Sequence, residues 1–331
     1  MLPGAGAGGR RQAALGQMRA ALLDGGPGYF YAANVGEVLS AEYIRETYAY
    51  MRKLHDLPLD VKRRFAGLGG SAKVGAVYSG SDVSLPELAY DPASKATVRS
   101  WDYSRNRTSV DGDEPARYPE VQPGFRETLD ELYERQNVLG EALLAALAEV
   151  LGLPGDAFTR HFVTGDMGTI RLLKYPGDED ALAADADVGI SPHTDFEALT
   201  LMHQDAPGLQ FMPAGAGEPA PWLDAPVRGA EFAVIIGDVL ERFTNGLLRA
   251  TPHRVVRTGS PRMSIIRFHA VAPETVIEPM APFVTQQRPR SYTRCTMRQH
   301  METTIQELEL GLGSWDAAAG ASRSARRRYE E

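Results

Sequence analysis

The stretch Gly189-Ile190-Ser191-Pro192-His193-Thr194-Asp195-Phe196 sets an imidazole and a carboxylate two residues apart. In an extended chain the side chains at i and i+2 leave the same face, so His193 and Asp195 can converge on one point. Two ligands do not hold a metal firmly. A third is offered by Ala250-Thr251-Pro252-His253-Arg254-Val255-Val256, whose histidine follows Asp195 by 58 positions (253 − 195). Two histidines and one carboxylate on one side of a metal make a facial triad, which leaves coordination sites open and suits non-haem Fe(II).

The chain carries a second His-x-Asp, His203-Gln204-Asp205. It follows the short apolar run Ala198-Leu199-Thr200-Leu201-Met202 and leads into Asp205-Ala206-Pro207-Gly208, a turn. That context makes His203 and Asp205 the end of a strand entering a hairpin, and the expected role is structural.

Composition narrows the class. The 331 residues can bury a large core, and 43% hydrophobic with 24% charged residues is the balance of a soluble globule. A formal net charge of −8 argues against a nucleic-acid footprint. No apolar run approaches the roughly 18 residues that cross a membrane, and the N-terminus lacks a signal-peptide core. The single cysteine, Cys295, excludes an internal disulfide and any multi-cysteine metal site. A cytoplasmic protein is expected, in a compartment that helps keep iron ferrous.

Along the chain, a Gly/Ala-rich start precedes a helix over Gln12–Leu23, stopped by Asp24-Gly25-Gly26-Pro27-Gly28. Tyr29–Asn34 reads as a strand, and Ser40 as the N-cap of a helix from Ala41 to about His55. Gly67–Asp113 is rich in Gly, Ser, Asp and Pro with Tyr78, Tyr90, Trp101 and Tyr103 interspersed. It is expected to be a long irregular segment that can lie over an active-site mouth; surface aromatics packed on the barrel are the alternative. Pro123–Leu151 is the longest helical pattern, and Pro154–Phe162 reads as a short helix. From Gly168 the period changes to short strands: Thr169–Tyr175, Ala198–His203, Leu209–Met212, Phe232–Ile236, Arg254–Arg257 and Met263–Val271. Many short strands separated by turn residues indicate a double-sheet jelly roll. The fold class is therefore mixed α/β: a double-stranded β-helix (jelly-roll) core with flanking helices and a long N-terminal bracing region.

Ser191-Pro192-His193-Thr194-Asp195-Phe196, Leu199-Thr200-Leu201, Gln204-Asp205 and Gly208-Leu209-Gln210-Phe211 resemble the isopenicillin N synthase-like family of Fe(II)/2-oxoglutarate-dependent oxygenases. Ile236–Gly246 is similar to another block of that family, Thr251–Val255 to its distal-histidine block, and Arg262-Met263-Ser264 to its Arg-x-Ser signature. The resemblance runs from about Asp24 to about Pro279. It departs in three places. Asn34-Val35-Gly36 stands where the family has an Asn-His-Gly turn. Leu173 stands where the family often has Asn, and nothing ahead of the first helix matches the family's opening strand, so an edge strand is expected to be missing or replaced.

The resemblance implies an Fe(II)/2-oxoglutarate-dependent dioxygenase, with His193, Asp195 and His253 on Fe(II) and O2 consumed. Arg262 would pair with the far carboxylate of 2-oxoglutarate, as a planar guanidinium does bidentately, with Ser264 on the same strand face and Tyr175 adding a hydrogen bond. It implies C–H oxidation (hydroxylation, desaturation or ring formation) of a small specialised-metabolite or amino-acid-derived substrate. An iron oxidase of the same fold that does without 2-oxoglutarate also keeps Arg-x-Ser and stays open; a non-catalytic jelly-roll binding protein is the third reading. The expected organisation is an N-terminal region with the candidate lid (1–122), bracing helices (123–165), the jelly-roll core (166–290) and a C-terminal helix with a polar tail (291–331). Asp238 and Asn245 are candidates to orient the ligands. Phe268, Phe196, Met202 and Tyr78 are candidates to line the pocket, with core packing as the alternative. Arg99, Arg105 and Arg107 in the lid segment are candidates to pair with a substrate carboxylate. His55, His161, His269 and His300, which have no carboxylate at ligand spacing, are read as structural or surface residues. The expected partner is a small molecule, with no nucleic acid and no membrane.

Overall fold

The computed structural model describes residues 7–67, 75–84, 90, 95–105, 118–162, 166–180, 188–213, 221–312, 315–316 and 321–322. Arg107 and most of the Arg-rich tail lie outside them.

Two sheets face one another. The larger has seven strands: β1 (Tyr29–Ala32), β2 (Gly75–Ser79), β3 (Arg99–Ser104), β4 (Thr169–Tyr175), β6 (Leu199–Gln204), β9 (Phe232–Ile236) and β11 (Arg262–His269). They lie in the order β1-β9-β6-β11-β4-β3-β2. The smaller is β5 (Ile190–His193), β10 (His253–Val255), β7 (Leu209–Phe211) and β8 (Leu223–Asp224). This is the expected jelly roll, a double-stranded β-helix with helices packed outside it.

Period-two alternation sorts the large sheet's side chains into two cores. Ile170 and Leu172 of β4, Leu199 and Leu201 of β6, and Val234 and Ile236 of β9 join the cluster that includes helix residues. Leu173 and Tyr175, Met202, and Ala233 and Ile235, one position out of phase, join the cluster between the sheets with Ile190, Leu209 and Val255. Both faces are covered, which is why these strands read as nearly continuous apolar runs.

Helix α4 (Phe125–Val150) is the longest element and buries Phe125, Leu129, Leu132, Gly140, Leu144 and Leu147. Helix α2 (Ala41–His55) starts at Ser40, whose hydroxyl accepts from the Tyr43 amide, and buries Ile44, Tyr48, Met51 and Leu54. Both match the helices expected from their apolar stripes. Helix α1 (Ala7–Leu22) begins earlier than expected, because Ala and Arg extend it outward at no packing cost. Helix α3 (Leu59–Arg64) is short, and α6 (Met297–Glu309) opens on a capping box between Thr296 and Gln299. Strands β12 (Val276–Ile277) and β13 (Cys295–Thr296) pair ahead of α6.

Two expectations need correction. Pro154–Phe162 holds only a 3-10 turn, Thr159–His161. Within Gly67–Asp113, the described residues include two strands of the large sheet, β2 and β3, in place of a continuous irregular segment. Tyr78, Trp101 and Tyr103 are core residues there, at most 1% exposed. Aromatic cross-strand packing holds this pair in register, Tyr78 opposite Trp101 with ring centroids 5.0 Å apart.

Candidate active site

Strand β5 ends on His193, the next turn carries Asp195, and β10 begins on His253, directly opposite His193 in the ladder. Ligand atoms of these three residues all lie within 4.8 Å of one another, and all three are buried. Asp195 Oδ1 sits 3.8 Å from His193 Nε2 and 3.6 Å from His253 Nε2.

The remaining polar atoms are engaged so that the converging atoms stay available. His193 Nδ1 lies 2.8 Å from the Ser191 carbonyl and His253 Nδ1 3.0 Å from the Thr251 carbonyl, each two residues earlier. A carbonyl only accepts, so each Nδ1 carries the proton and each Nε2 keeps its lone pair. Burial, and then the neighbouring His253, push His193 well below the usual imidazole range, which favours the neutral, metal-binding form. The Thr200 hydroxyl donates to Asp195 Oδ2 at 2.5 Å, leaving Oδ1 to face the two imidazoles.

The ligand turn is held from behind by β9 and the short helix α5 (Asp238–Phe243). Gly237 and Val239 donate backbone hydrogen bonds to Ala198 and Glu197, and Asp238 to Asp195. A Cβ on Gly237 would lie 2.3 Å from the Glu197 carbonyl oxygen, so this approach requires glycine. Asp238 Oδ1 accepts from Thr194, between the two ligands, and thus braces the turn as expected. Burial, then Glu241, push the Asp238 carboxyl well up. Asn245 does not reach the ligands; its amide joins the Phe283 and Pro289 carbonyls and the Ser291 amide.

Across the barrel interior, Arg262 and Ser264 point inward from β11, and Tyr175 is the register partner of Arg262 on β4. The Arg262 guanidinium lies over the Tyr175 ring, 4.4 Å from its centroid. Arg262 is 2% exposed, and its Nε and Nη1, Ser264 Oγ and the Tyr175 hydroxyl are buried together with no partner outside this group. Two nitrogens of the cation and the two hydroxyls beside it form a cradle that an anion's oxygens would fill. The donor set of two imidazoles and a carboxylate equally fits Fe(II). The residues present therefore fit both groups.

A narrow cavity of about 20 Å³ is lined by the three converging residues, Tyr175, Arg171 and Tyr90, with Leu173, Ile190, Met202, Val255, Ile266 and Phe268 as its apolar wall. Met202 and Phe268 line it as expected, while Phe196 packs in the outer core and Tyr78 lies buried away from it, bonded to Asp82. Tyr90 stacks on the His193 ring, 4.2 Å between centroids and 9° between planes. Arg171 had gone unread in the sequence; it is buried and forms a two-point pair with Asp102 of β3, at 3.0 and 2.9 Å. Its position two and four residues before Leu173 and Tyr175 on one strand face was the signal available. The two described lid arginines are committed elsewhere, a correction to their expected role. Arg99 pairs with Asp180 at 2.7 Å and Arg105 with Asp130 at 3.5 Å and with Glu134.

The second His-x-Asp is structural as expected. His203 meets the Tyr48 hydroxyl and the Gly229 carbonyl, and Asp205 accepts from the Met263 amide at 2.7 Å. His55, His269 and His300 are buried and bonded to backbone carbonyls.

A jelly roll with two histidines and a carboxylate converging inside it defines a non-haem iron oxygenase. The sequence profile of the 2OG-Fe(II) oxygenase superfamily matches residues 168–271. The chain is 31% identical over 254 residues to the 2-oxoglutarate-dependent dioxygenase ecdK of Aspergillus rugulosus, covering 71% of this chain and 74% of that one. It is 36% identical over 165 residues to the 2-oxoglutarate-Fe(II) type oxidoreductase hxnY of Emericella nidulans, covering 49% and 46%. The fold is similar to that of the dioxygenase for auxin oxidation in rice, with a TM-score of 0.68 at 24% identity, covering 98% of this chain and 97% of that one. The chain belongs to the 2OG-Fe(II) oxygenase superfamily. It is an Fe(II)/2-oxoglutarate-dependent dioxygenase that uses O2 to oxidise a C–H bond of a small organic substrate. Among the described residues no helix is long and apolar enough to cross a membrane.

Proposed function

We propose that His193, Asp195 and His253 hold the iron and that Arg262, with Ser264 and Tyr175, holds the distal carboxylate of 2-oxoglutarate. When bound, iron would activate O2, the oxidant, and 2-oxoglutarate would supply two of the electrons, leaving as succinate and CO2. The observation that carries the assignment is the cluster of buried polar atoms on Arg262, Ser264 and Tyr175, with no partner outside the cluster, inside the barrel that also holds the three metal-binding side chains. The chain's own part is to orient and to exclude water. Backbone carbonyls set both imidazole tautomers, Thr200 fixes one carboxylate oxygen, and the apolar wall keeps bulk solvent from the reacting bond.

The substrate in this reading is a free small molecule, a specialised metabolite or amino-acid derivative, and not nucleic acid. The acidic chain and the small cavity support it. Tyr90 and Phe268 offer ring faces and Arg171 the one charged guanidinium among the described lining residues. The protein is proposed to be cytoplasmic and organised as an N-terminal helical and strand region with the candidate lid (1–122), bracing helices (123–165), the catalytic jelly roll (166–290) and a C-terminal helix with tail (291–331).

The test is succinate release measured against 2-oxoglutarate concentration. A charge-assisted pair contributes roughly 1.5–3 kcal/mol, so Arg262→Ala should raise the 2-oxoglutarate requirement by about one to two orders of magnitude. Substrate turnover by the wild type without succinate would contradict the co-substrate assignment and favour the oxidase that needs none.

A further inference from the structure

Gln204 sits between the two structural members of the second His-x-Asp, His203 and Asp205. Strand parity turns it the other way from them. Thr200, Met202 and Gln204 share one face of β6, and Met202 of that set lines the cavity. Gln204 is the register partner of Ser264 on β11. Its Oε1 accepts from Arg262 Nη2 at 3.0 Å, and its Nε2 donates to the Ala225 carbonyl at 3.0 Å. The Ala225 carbonyl only accepts, so it fixes the amide with the oxygen towards the guanidinium. Gln204 is 7% exposed, so water does not compete freely for either bond.

From this geometry we infer that Gln204 is the positioning residue for Arg262. It ties one nitrogen of the guanidinium and thereby aims Nη1 and Nε. A neutral acceptor suits this task, because a carboxylate at the same place would neutralise the cation that must recognise an anion. The ring of Tyr175 holds the guanidinium plane from its face while Gln204 sets its rotation in that plane. The inference rests on Arg262 being the anchor of the co-substrate's distal carboxylate.

The experiment is an anaerobic equilibrium titration of the full Fe(II)-loaded chain, with no turnover. Two probes are used: 2-oxoglutarate, and 2-oxopentanoate, which keeps the oxo acid and lacks the distal carboxylate. In Gln204→Leu the dissociation constant for 2-oxoglutarate should rise about five- to thirty-fold, with that for 2-oxopentanoate unchanged within about two-fold. Gln204→Glu should weaken 2-oxoglutarate more than Leu does, about thirty-fold or beyond, because its carboxylate captures Arg262. It should again spare 2-oxopentanoate, and it carries the test alone if the Leu variant does not fold. A residue that merely packs would shift both probes together or neither, and either pattern overturns the inference. Arg262→Ala separates the two claims. If it weakens 2-oxoglutarate selectively while both Gln204 variants bind like the wild type, only the role of Gln204 fails. If Arg262→Ala does not distinguish the probes, the anchor assignment itself fails.

Discussion

Thr200 shows how a single hydroxyl shapes the metal site. Asp195 has two oxygens, and only one should face the iron if the opposite side is to stay open. The bond from Thr200 Oγ1 to Oδ2 makes that choice. Thr200→Val keeps the shape and removes the bond, and loss of such a supporting partner typically costs 10–100-fold in metal affinity. An anaerobic Fe(II) titration of the variant should show a drop of about ten-fold; wild-type affinity would mean that the carboxylate is oriented by the turn alone. The three metal-binding residues were legible in the sequence because i and i+2 spacing and a distal histidine are local patterns. Thr200, Gln204 and Arg171 were not, although Thr200 and Arg171 lie within expected strands and Gln204 directly follows one. Their roles depend on which face of β6 or β4 looks inward, and that follows only once a neighbour such as Met202 or Tyr175 is known to point into the barrel.

Helix α4 lies against β11 through a contact that only glycine permits. A Cβ on Gly140 would fall 2.2 Å from His269 Nε2, on a ring tied to the Gln136 carbonyl at 3.2 Å. Alanine in a helix interior gains roughly 1 kcal/mol over glycine, whereas overpacking costs about 1–3 kcal/mol. The clash should win, so Gly140→Ala should lower unfolding stability by up to about 2 kcal/mol in urea. Gly16→Ala in α1, where nothing lies within 4 Å, should raise it by roughly 0.5–1 kcal/mol. Stabilisation at both sites would show that α4 is free to shift. The amphipathic helices were readable because their apolar stripes are long. Strands β2 and β3 were missed because Gly75-Ala76-Val77-Tyr78-Ser79 and Arg99-Ser100-Trp101-Asp102-Tyr103-Ser104 mix small and polar residues with aromatics. β3 becomes a strand through pairing with β4, and β2 through pairing with β3, and the long-range register to β4 leaves no local periodicity to read.

At the scale of the whole molecule, the barrel keeps several imidazoles neutral. Burial pushes His55 down to about 3, and burial followed by Arg267 pushes His269 well below its usual range. In the unfolded chain both take up a proton near pH 6.5. Below that pH the unfolded state binds more protons than the folded one, so stability falls as pH falls; above it, their effect is absent. Each contributes a loss of up to about 1.4 kcal/mol per pH unit, continuing for His55 towards pH 3. Urea unfolding at pH 7.5 and 5.5 should show the wild type weaker at the lower pH. His55→Gln should remove about 1.4 kcal/mol in total of the loss between those two pH values; an unchanged loss would mean that His55 takes up a proton in the folded protein.

The central claim is that one side of the small sheet holds iron and the large sheet then receives 2-oxoglutarate against it. The most direct test is anaerobic calorimetric titration of the metal-free full chain with Fe(II), followed by 2-oxoglutarate, for the wild type and Asp195→Ala. The account predicts one Fe(II) per wild-type chain, 2-oxoglutarate binding that tightens once iron is present, and loss of both in Asp195→Ala. Equal Fe(II) affinity in the two proteins, or 2-oxoglutarate binding indifferent to iron, would contradict it.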